Sequence, residues 1–409
     1  MADAVQVQGF KVAGVHAGLK ADGALDMALI FSEVPCVAAG VFTINRMKAA
    51  PVLLDMEKLS RTREGYRAVI VNTRCANACT GQPGLENARR MSALTAQALG
   101  VPDESVFVMS TGVIGTQLNM EKIAHGVALC SAGLGNDWEA AARGIMTTDT
   151  RPKYAAVEVQ LSGGVCRIAG IAKGAGMIAP NMATMLAVVV TDARLTSEQC
   201  GQQLAAAANQ SFNRIVIDGD MSTNDTLLLM ANGSSGVGIQ DSADEAAFEE
   251  ALNTVCKALA QAIVRDGEGV TRFVTVAVSG VENDEQARLI ANTIATSPLV
   301  KTAFYGGDAN WGRIVAAAGR SGVEFDPETV WLAIAPGTDG ALSADPLVLV
   351  EGGTPTAYDE QRATAIVNQP EFSVLLRCHR AGSPGSGDAV IWTCDLSHDY
   401  VSINGHYRT

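Results

Sequence analysis

Lys173-Gly174-Ala175-Gly176-Met177-Ile178-Ala179-Pro180-Asn181-Met182-Ala183-Thr184-Met185-Leu186 carries a glycine-punctuated loop into an apolar run, Met185 to Val190. The run is short, β-branched at its centre and bounded by breakers, which predicts a buried strand. Thr184 stands at the junction, with the small Ala183 before it. A break between the two would make Thr184 the first residue of a new chain, its hydroxyl beside its own free amine. That pairing activates an otherwise weak hydroxyl nucleophile. Gly174, Gly176 and Pro180 let the loop hold a peptide in strained geometry, which lowers the barrier to attack by Thr184 on the Ala183 carbonyl. Read alone, Thr184 is equally a good residue for starting a strand.

A second constellation follows another apolar run, Val106 to Met109: Ser110-Thr111-Gly112-Val113-Ile114-Gly115. A threonine hydroxyl and a glycine amide at a strand end can be aimed at one oxygen, as an oxyanion hole requires. The plain alternative is a strand-to-helix turn, with Asn119 capping the helix that follows.

The rest of the chain sets bounds. Its 409 residues, 48% hydrophobic and 18% charged, describe a globular protein of two domains or one large layered domain. A net charge of −13 argues against nucleic-acid binding, which would need a basic patch. Nine scattered cysteines fit a reducing cytoplasm better than a disulfide framework. No secretory signal is visible at the N-terminus, and no apolar run is long enough for a transmembrane helix, so no membrane role is expected. No phosphate loop, Gly-x-Ser-x-Gly elbow or metal-spaced histidine pair occurs among the motifs. Cys75 and Cys79 are spaced for one helical face but lack a second pair, so no metal is expected.

Further strands are predicted at Ala68 to Val71 and Phe273 to Val278. Helices are predicted over Leu85–Leu99, Met120–Ala132, Trp138–Met146 and Ala243–Val264. Thr196 and Gln199 form a capping box for a helix reaching about Ser211. Asn283 and Asp284 start another that ends near Thr296. Thr329 to Thr409 is richer in short strands and turns. The class is α/β.

With these pieces placed, the Lys173–Leu186 stretch resembles the self-cleavage segment of the ornithine acetyltransferases, the bifunctional arginine-biosynthesis (glutamate N-acetyltransferase) family. Ser110–Gly115, Thr147-Thr148-Asp149-Thr150, Ser211–Arg214, Asp218–Asp225, Asp266-Gly267-Glu268-Gly269, Asn310–Arg313 and the chain end Asn404–Thr409 match too, in order and over essentially the whole length. Arg74-Cys75 stands where many members have Gly-Asn, and Ala309 where many have Pro, which puts local loop shape in question.

The resemblance implies an αββα layered sandwich of the DmpA/ArgJ type and a self-processing N-terminal nucleophile enzyme. Cleavage between Ala183 and Thr184 would give an α chain, 1–183, and a β chain, 184–409, intertwined in one catalytic unit and paired as α2β2. Thr184 is then the nucleophile, and Thr111 and Gly112 hold the oxyanion. Thr150 (with Thr147 and Thr148 in the same motif), Lys173, Thr184, Glu268, Asn404 and Thr409 line the substrate site. Charge matching sets Lys173 against a substrate carboxylate and Glu268 against the ornithine ammonium. The implied reaction is ping-pong transfer of acetyl from N2-acetylornithine to L-glutamate, with no bound cofactor. Acetyl-CoA stays open as a second donor. An amidase or aminopeptidase with the same nucleophile is the rival reading, and an uncut glycine-rich binding module is another.

Overall fold

The computed structural model describes residues 6–179, 185–338 and 345–406. Contacts divide the chain into two units, Met1–Asn213 with Asp220–Ile263, and Arg214–Gly219 with Val264–Tyr407.

The first unit contains, in order, β1 (Phe10–Val15), β2 (Met27–Phe42), α1 (Ala50–Arg61), β3 (Glu64–Asn72), α2 (Gly81–Leu99), β4 (Val106–Ser110), α3 (Met120–Ala132), α4 (Trp138–Gly144), β5 (Lys153–Leu161), β6 (Gly164–Lys173), β7 (Leu186–Thr191), α5 (Ser197–Gln210), β8 (Thr226–Ala231) and α6 (Ser242–Arg265). Its eight-stranded sheet runs β4-β3-β2-β8-β7-β6-β5, with β1 paired to β2. Every residue of β7 and of β8 is buried, and the two pair in parallel. Continuous apolar runs are what a strand covered on both faces demands. β2 shifts register between Phe31 and Cys36, so its first half pairs with β1 and β3 and its second with β8. Pro35, with no N–H to give, falls in that shift.

Alternation along β3 divides the core. Val69 and Val71 pack with Trp138 and Ala141 of α4, while Ala68 and Ile70 pack with Met91 of α2 and Ile123 of α3. Each fully buried aliphatic side chain contributes about 1.5–3 kcal/mol, so the sheet face, more than helix propensity, seats these helices.

The second unit contains β9 (Phe273–Val281), α7 (Asp284–Ala295), α8 (Pro298–Gly306), α9 (Trp311–Gly319), β10 (Trp331–Pro336), β11 (Leu347–Glu351), β12 (Thr354–Pro355), α10 (Glu360–Val367), β13 (Glu371–Arg377), β14 (Gly387–Cys394) and α11 (His398–Gly405). Its sheet runs β12-β11-β10-β13-β9-β14. Val274, Val276 and Val278 share a core with Ile290 and Ile294 of α7, Phe304 of α8 and Ile314 of α9.

The α/β class expected from the sequence holds. The Thr196–Gln199 capping box forms in both directions, and Asn283 caps α7. Two expectations need correction. Residues 74–79 are loop, not helix, with Cys75 buried and Cys79 exposed, so the two thiols share no helical face. α2 begins at Gly81, earlier than Leu85, because Gly84 packs where a Cβ would lie 1.9 Å from the Thr80 hydroxyl. The C-terminal part is strand-rich as expected, with β10 to β14 accompanied by helices α10 and α11. Among the described residues, no helix is long and apolar enough to cross a membrane.

Candidate active site

The end of β6 and the turn after β4 meet in the first unit. Lys173 Nζ donates to Thr111 Oγ1 at 3.3 Å, and both residues are buried. An ammonium group can only donate, so Thr111 Oγ1 is the acceptor and its own hydrogen is turned elsewhere. Gly112 is held at φ +135°, and a Cβ there would lie 2.2 Å from the carbonyl carbon of Arg74. Only glycine fits. Thr111 N–H donates to Asn72 O and Val113 N–H to Arg74 O, so the flanking amides are used. No described residue accepts from the Gly112 N–H. A hydroxyl and an amide are thus left as neighbouring donors, the composition of an oxyanion hole.

The loop that braces Gly112 is itself unusual. Arg74, Asn77 and Cys79 adopt φ of 70°, 50° and 56°. Arg74 stands where the family resemblance expects glycine, and its Cβ costs about 1–2 kcal/mol in that conformation. Glycine would return about 0.5–1 kcal/mol of that in chain entropy. Arg74→Gly is therefore expected to stabilise the protein by about 0.5–1 kcal/mol, read as a higher urea midpoint at unchanged slope.

A buried carboxylate supports the Lys173 side. Asp149 accepts from Lys153 Nζ at 2.7 Å, Gly174 N–H at 2.7 Å and Thr147 N–H at 2.9 Å. Burial alone would raise its pKa, but the charges of Lys173 and Lys153, with the Lys153 and Gly174 hydrogen bonds, outweigh it and hold the carboxyl to about 2. A folded pKa below the unfolded value means stability that is present above about pH 4 and lost as pH falls toward 2. Asp149→Asn should remove that acid dependence. It should also cost roughly 3–5 kcal/mol at neutral pH, by leaving buried ammonium groups without their anion. Urea midpoints measured across pH for both proteins check this.

The entry to β8 completes the cluster. Asn224 Nδ2 donates to Ala76 O at 2.6 Å and to Ser110 O at 2.8 Å, tying the 74–79 loop to the turn after β4. The next residue, Asp225, is fully buried and accepts from Met185 N–H at 3.0 Å. Lys173 pairs with Leu186, and Leu186 with Thr226, in the sheet register. The segment emerging from Thr184 is therefore pinned between β6 and β8.

Glu268 and Asn404 meet in the second unit, where Asn404 Nδ2 donates to Glu268 Oε2 at 2.8 Å. Gly269, at φ +69°, brings this turn against α11, where a Cβ would lie 2.5 Å from Tyr400 N. Ser397 Oγ fixes the contact by donating to Gly269 O at 2.6 Å. Thr150 is exposed, next to the buried Asp149. Ala183, Thr184 and Thr409 lie outside the described residues. Among the described residues, no group of three His, Cys, Asp or Glu side chains is close enough to hold a metal ion.

Sequence reasoning missed roles for Asp149, Lys153, Asn224 and Asp225. Three of the four sit inside quoted motifs, Thr147–Thr150 and Asp218–Asp225, so the signal was present without a function attached. Lys153 had none, because it reaches Asp149 from a strand.

Comparison with known proteins follows the same outline. Residues 11–409 match the model of the ArgJ family. The arginine biosynthesis bifunctional protein ArgJ of Geobacter sulfurreducens is 47% identical over 410 residues, covering 99% of this chain and all of that protein. The mitochondrial protein of that name from Heterostelium pallidum is 45% identical over 414 residues, covering 98% of this chain and 94% of its own. Among solved structures, ArgJ from Bacillus halodurans is 40% identical, covers 54% of this chain and 98% of its own, and has a TM-score of 0.49. Ornithine acetyltransferase from Mycobacterium tuberculosis, complexed with ornithine, is 41% identical, covers 45% of this chain and 95% of its own, with a TM-score of 0.41.

Proposed function

The chain belongs to the ArgJ family, and from that premise we propose that it moves the acetyl group of N2-acetylornithine to L-glutamate through Thr184. The observation that carries the reading is the pair of donors at Thr111 and Gly112, with the Thr111 oxygen accepting from Lys173 at the end of the strand that pairs with Leu186.

The chain cleaves itself between Ala183 and Thr184. The free α-amine of Thr184, with an ordinary pKa of about 7.7–8.0, is partly neutral near physiological pH and accepts the hydroxyl proton. The Thr184 oxygen attacks the acetyl carbonyl of N2-acetylornithine. Thr111 and Gly112 donate to the oxyanion. The proton held by the amine passes to the departing ornithine nitrogen, leaving acetyl-Thr184. The amine of glutamate then attacks that ester, and N-acetylglutamate leaves. The charge of Lys173 suits a substrate carboxylate. Glu268, which accepts from Asn404, carries the charge that suits the ornithine ammonium, and the family positions assign Thr150 and Thr409 to substrate as well.

The fragments 1–183 and 184–409 stay joined, because β6 pairs with β7 and β2 with β8 across the cut. Two such pairs make the α2β2 assembly. The proposed reaction requires no bound cofactor, and supplying acetyl-CoA in place of N2-acetylornithine reads whether it is a second acetyl donor. Nine unpaired cysteines favour a reducing cytoplasm as its compartment.

Release of ornithine from N2-acetylornithine tests the reading against its hydrolase rival. It should depend on glutamate and yield N-acetylglutamate. Equal release without glutamate, with free acetate as product, would point to an amidase.

A further inference from the structure

Self-cleavage has a gap that turnover does not. The α-amine that serves as base in turnover does not exist until the Ala183–Thr184 bond is broken. Another group must handle two protons in that first step, one leaving the Thr184 hydroxyl and one arriving at the Thr184 nitrogen, since an amide anion does not leave unprotonated.

Asp225 is placed for that task. It is fully buried, and its Oδ1 accepts from the N–H of Met185 at 3.0 Å. That nitrogen is bonded to the carbonyl carbon of Thr184, so the carboxyl is anchored one peptide from the scissile bond. Among the described residues its second oxygen, Oδ2, has no hydrogen-bond partner. A buried polar atom without a partner costs about 1–3 kcal/mol, which asks for an explanation. Thr43 lies close by, but its hydroxyl donates to Ser222 O at 2.8 Å. Burial drives the Asp225 pKa well above the usual carboxylate range, against the pull of the Met185 hydrogen bond, the charge of Lys173 and the nearby Thr43 hydroxyl. Lys173, at the end of β6, is the described charge that reaches it. Burial therefore favours the protonated form of the group.

We propose that Asp225 carries the protons of self-cleavage: it protonates the Thr184 nitrogen as the Ala183–Thr184 bond breaks and takes up the proton of the Thr184 hydroxyl. The new bond joins Thr184 Oγ to the Ala183 carbonyl carbon. The broken bond is the C–N link between the two residues. One proton is given and one received, so the carboxyl ends as it began. Water then cleaves the ester, leaving a carboxylate on Ala183 and restoring the hydroxyl. The proposal rests on the reading of Thr184 as a self-cleaving residue.

Cell-free synthesis of the full chain, sampled through time on a denaturing gel, tests it. Asp225→Asn keeps an acceptor for Met185 N–H but cannot exchange a proton. It should cleave about 10²–10⁴-fold more slowly than the unaltered chain while matching its circular dichroism. The unaltered chain should cleave more slowly as pH rises through the carboxyl's pKa, and Asp225→Glu should displace that profile. Cleavage of Asp225→Asn within a few-fold of the unaltered rate would overturn the proposal and leave the reading of Thr184 intact. If Asp225→Asn fails to fold, the Asp225→Glu profile decides: a displaced profile supports the proposal, and a superimposable one overturns it. An unaltered chain that never cleaves overturns the reading of Thr184 and the proposal together.

Discussion

A Thr184→Ala chain is expected to remain a single polypeptide of 409 residues and to transfer no acetyl group. Both losses have one origin. The hydroxyl that opens the Ala183–Thr184 bond is the hydroxyl that later carries the acetyl group, and the amine that assists it appears only when the bond has opened. Removing a nucleophile from such a set costs on the order of 10⁶-fold in turnover. The fold should survive, because β7 begins at Leu186 and its buried pairing with β6 and β8 does not depend on the side chain at 184. Thr184→Ser keeps the hydroxyl and should still cleave, with poorer turnover. A denaturing gel and an acetyl-transfer assay read both effects. Two fragments from Thr184→Ala would remove Thr184 from the account.

The second large effect is expected at Thr111. Valine has nearly the shape of threonine but no hydroxyl, so Thr111→Val removes one of the two oxyanion donors and little else from the packing. Losing one such donor costs about 10²–10³-fold in kcat. A donor used only in the transition state should leave KM nearly unchanged. Lys173 would also lose the acceptor 3.3 Å from its Nζ, which should lower stability by about 1–3 kcal/mol. Thr111→Ser keeps the hydroxyl and should recover much of the rate. A fall in kcat of Thr111→Val smaller than tenfold would mean that the hydroxyl does not face the reacting oxygen. Gly112 offers no comparable probe, because a Cβ there strikes the backbone of Arg74.

What could be read in the sequence divides along physical lines. β4 and β7 announce themselves, since strands buried on both faces are nearly unbroken apolar runs, and β9 does so through its β-branched stretch Phe273 to Val278. α3, with its Asn119 cap, and α5, with its capping box, are signalled by local hydrogen bonding that short sequence spacings encode. β5 was passed over, because Lys153 to Leu161 mixes polar and apolar residues on a half-covered strand. The Ser162-Gly163 turn that pairs Leu161 with Gly164 was its one clear signal. β2 hid behind Pro35 and its register shift.

The site divides the same way. The donors at Thr111 and Gly112 follow a strand and could be proposed from their residue types. Asp149 and Asp225 could not, because their importance lies in what surrounds them. One is a carboxylate between two buried lysines. The other is a carboxyl with an unfilled oxygen beside the peptide that follows Thr184. Those surroundings include contacts across the fold, from Gly174 to Asp149 and from Met185 to Asp225, which a local reading of the sequence does not pair.

The most direct test of the account is the mass of the fragment that begins at Thr184 after a brief exposure to N2-acetylornithine without glutamate. The account predicts a fragment heavier by one acetyl group, which disappears as glutamate is added and N-acetylglutamate forms. A fragment that never carries acetyl while transfer proceeds would contradict it.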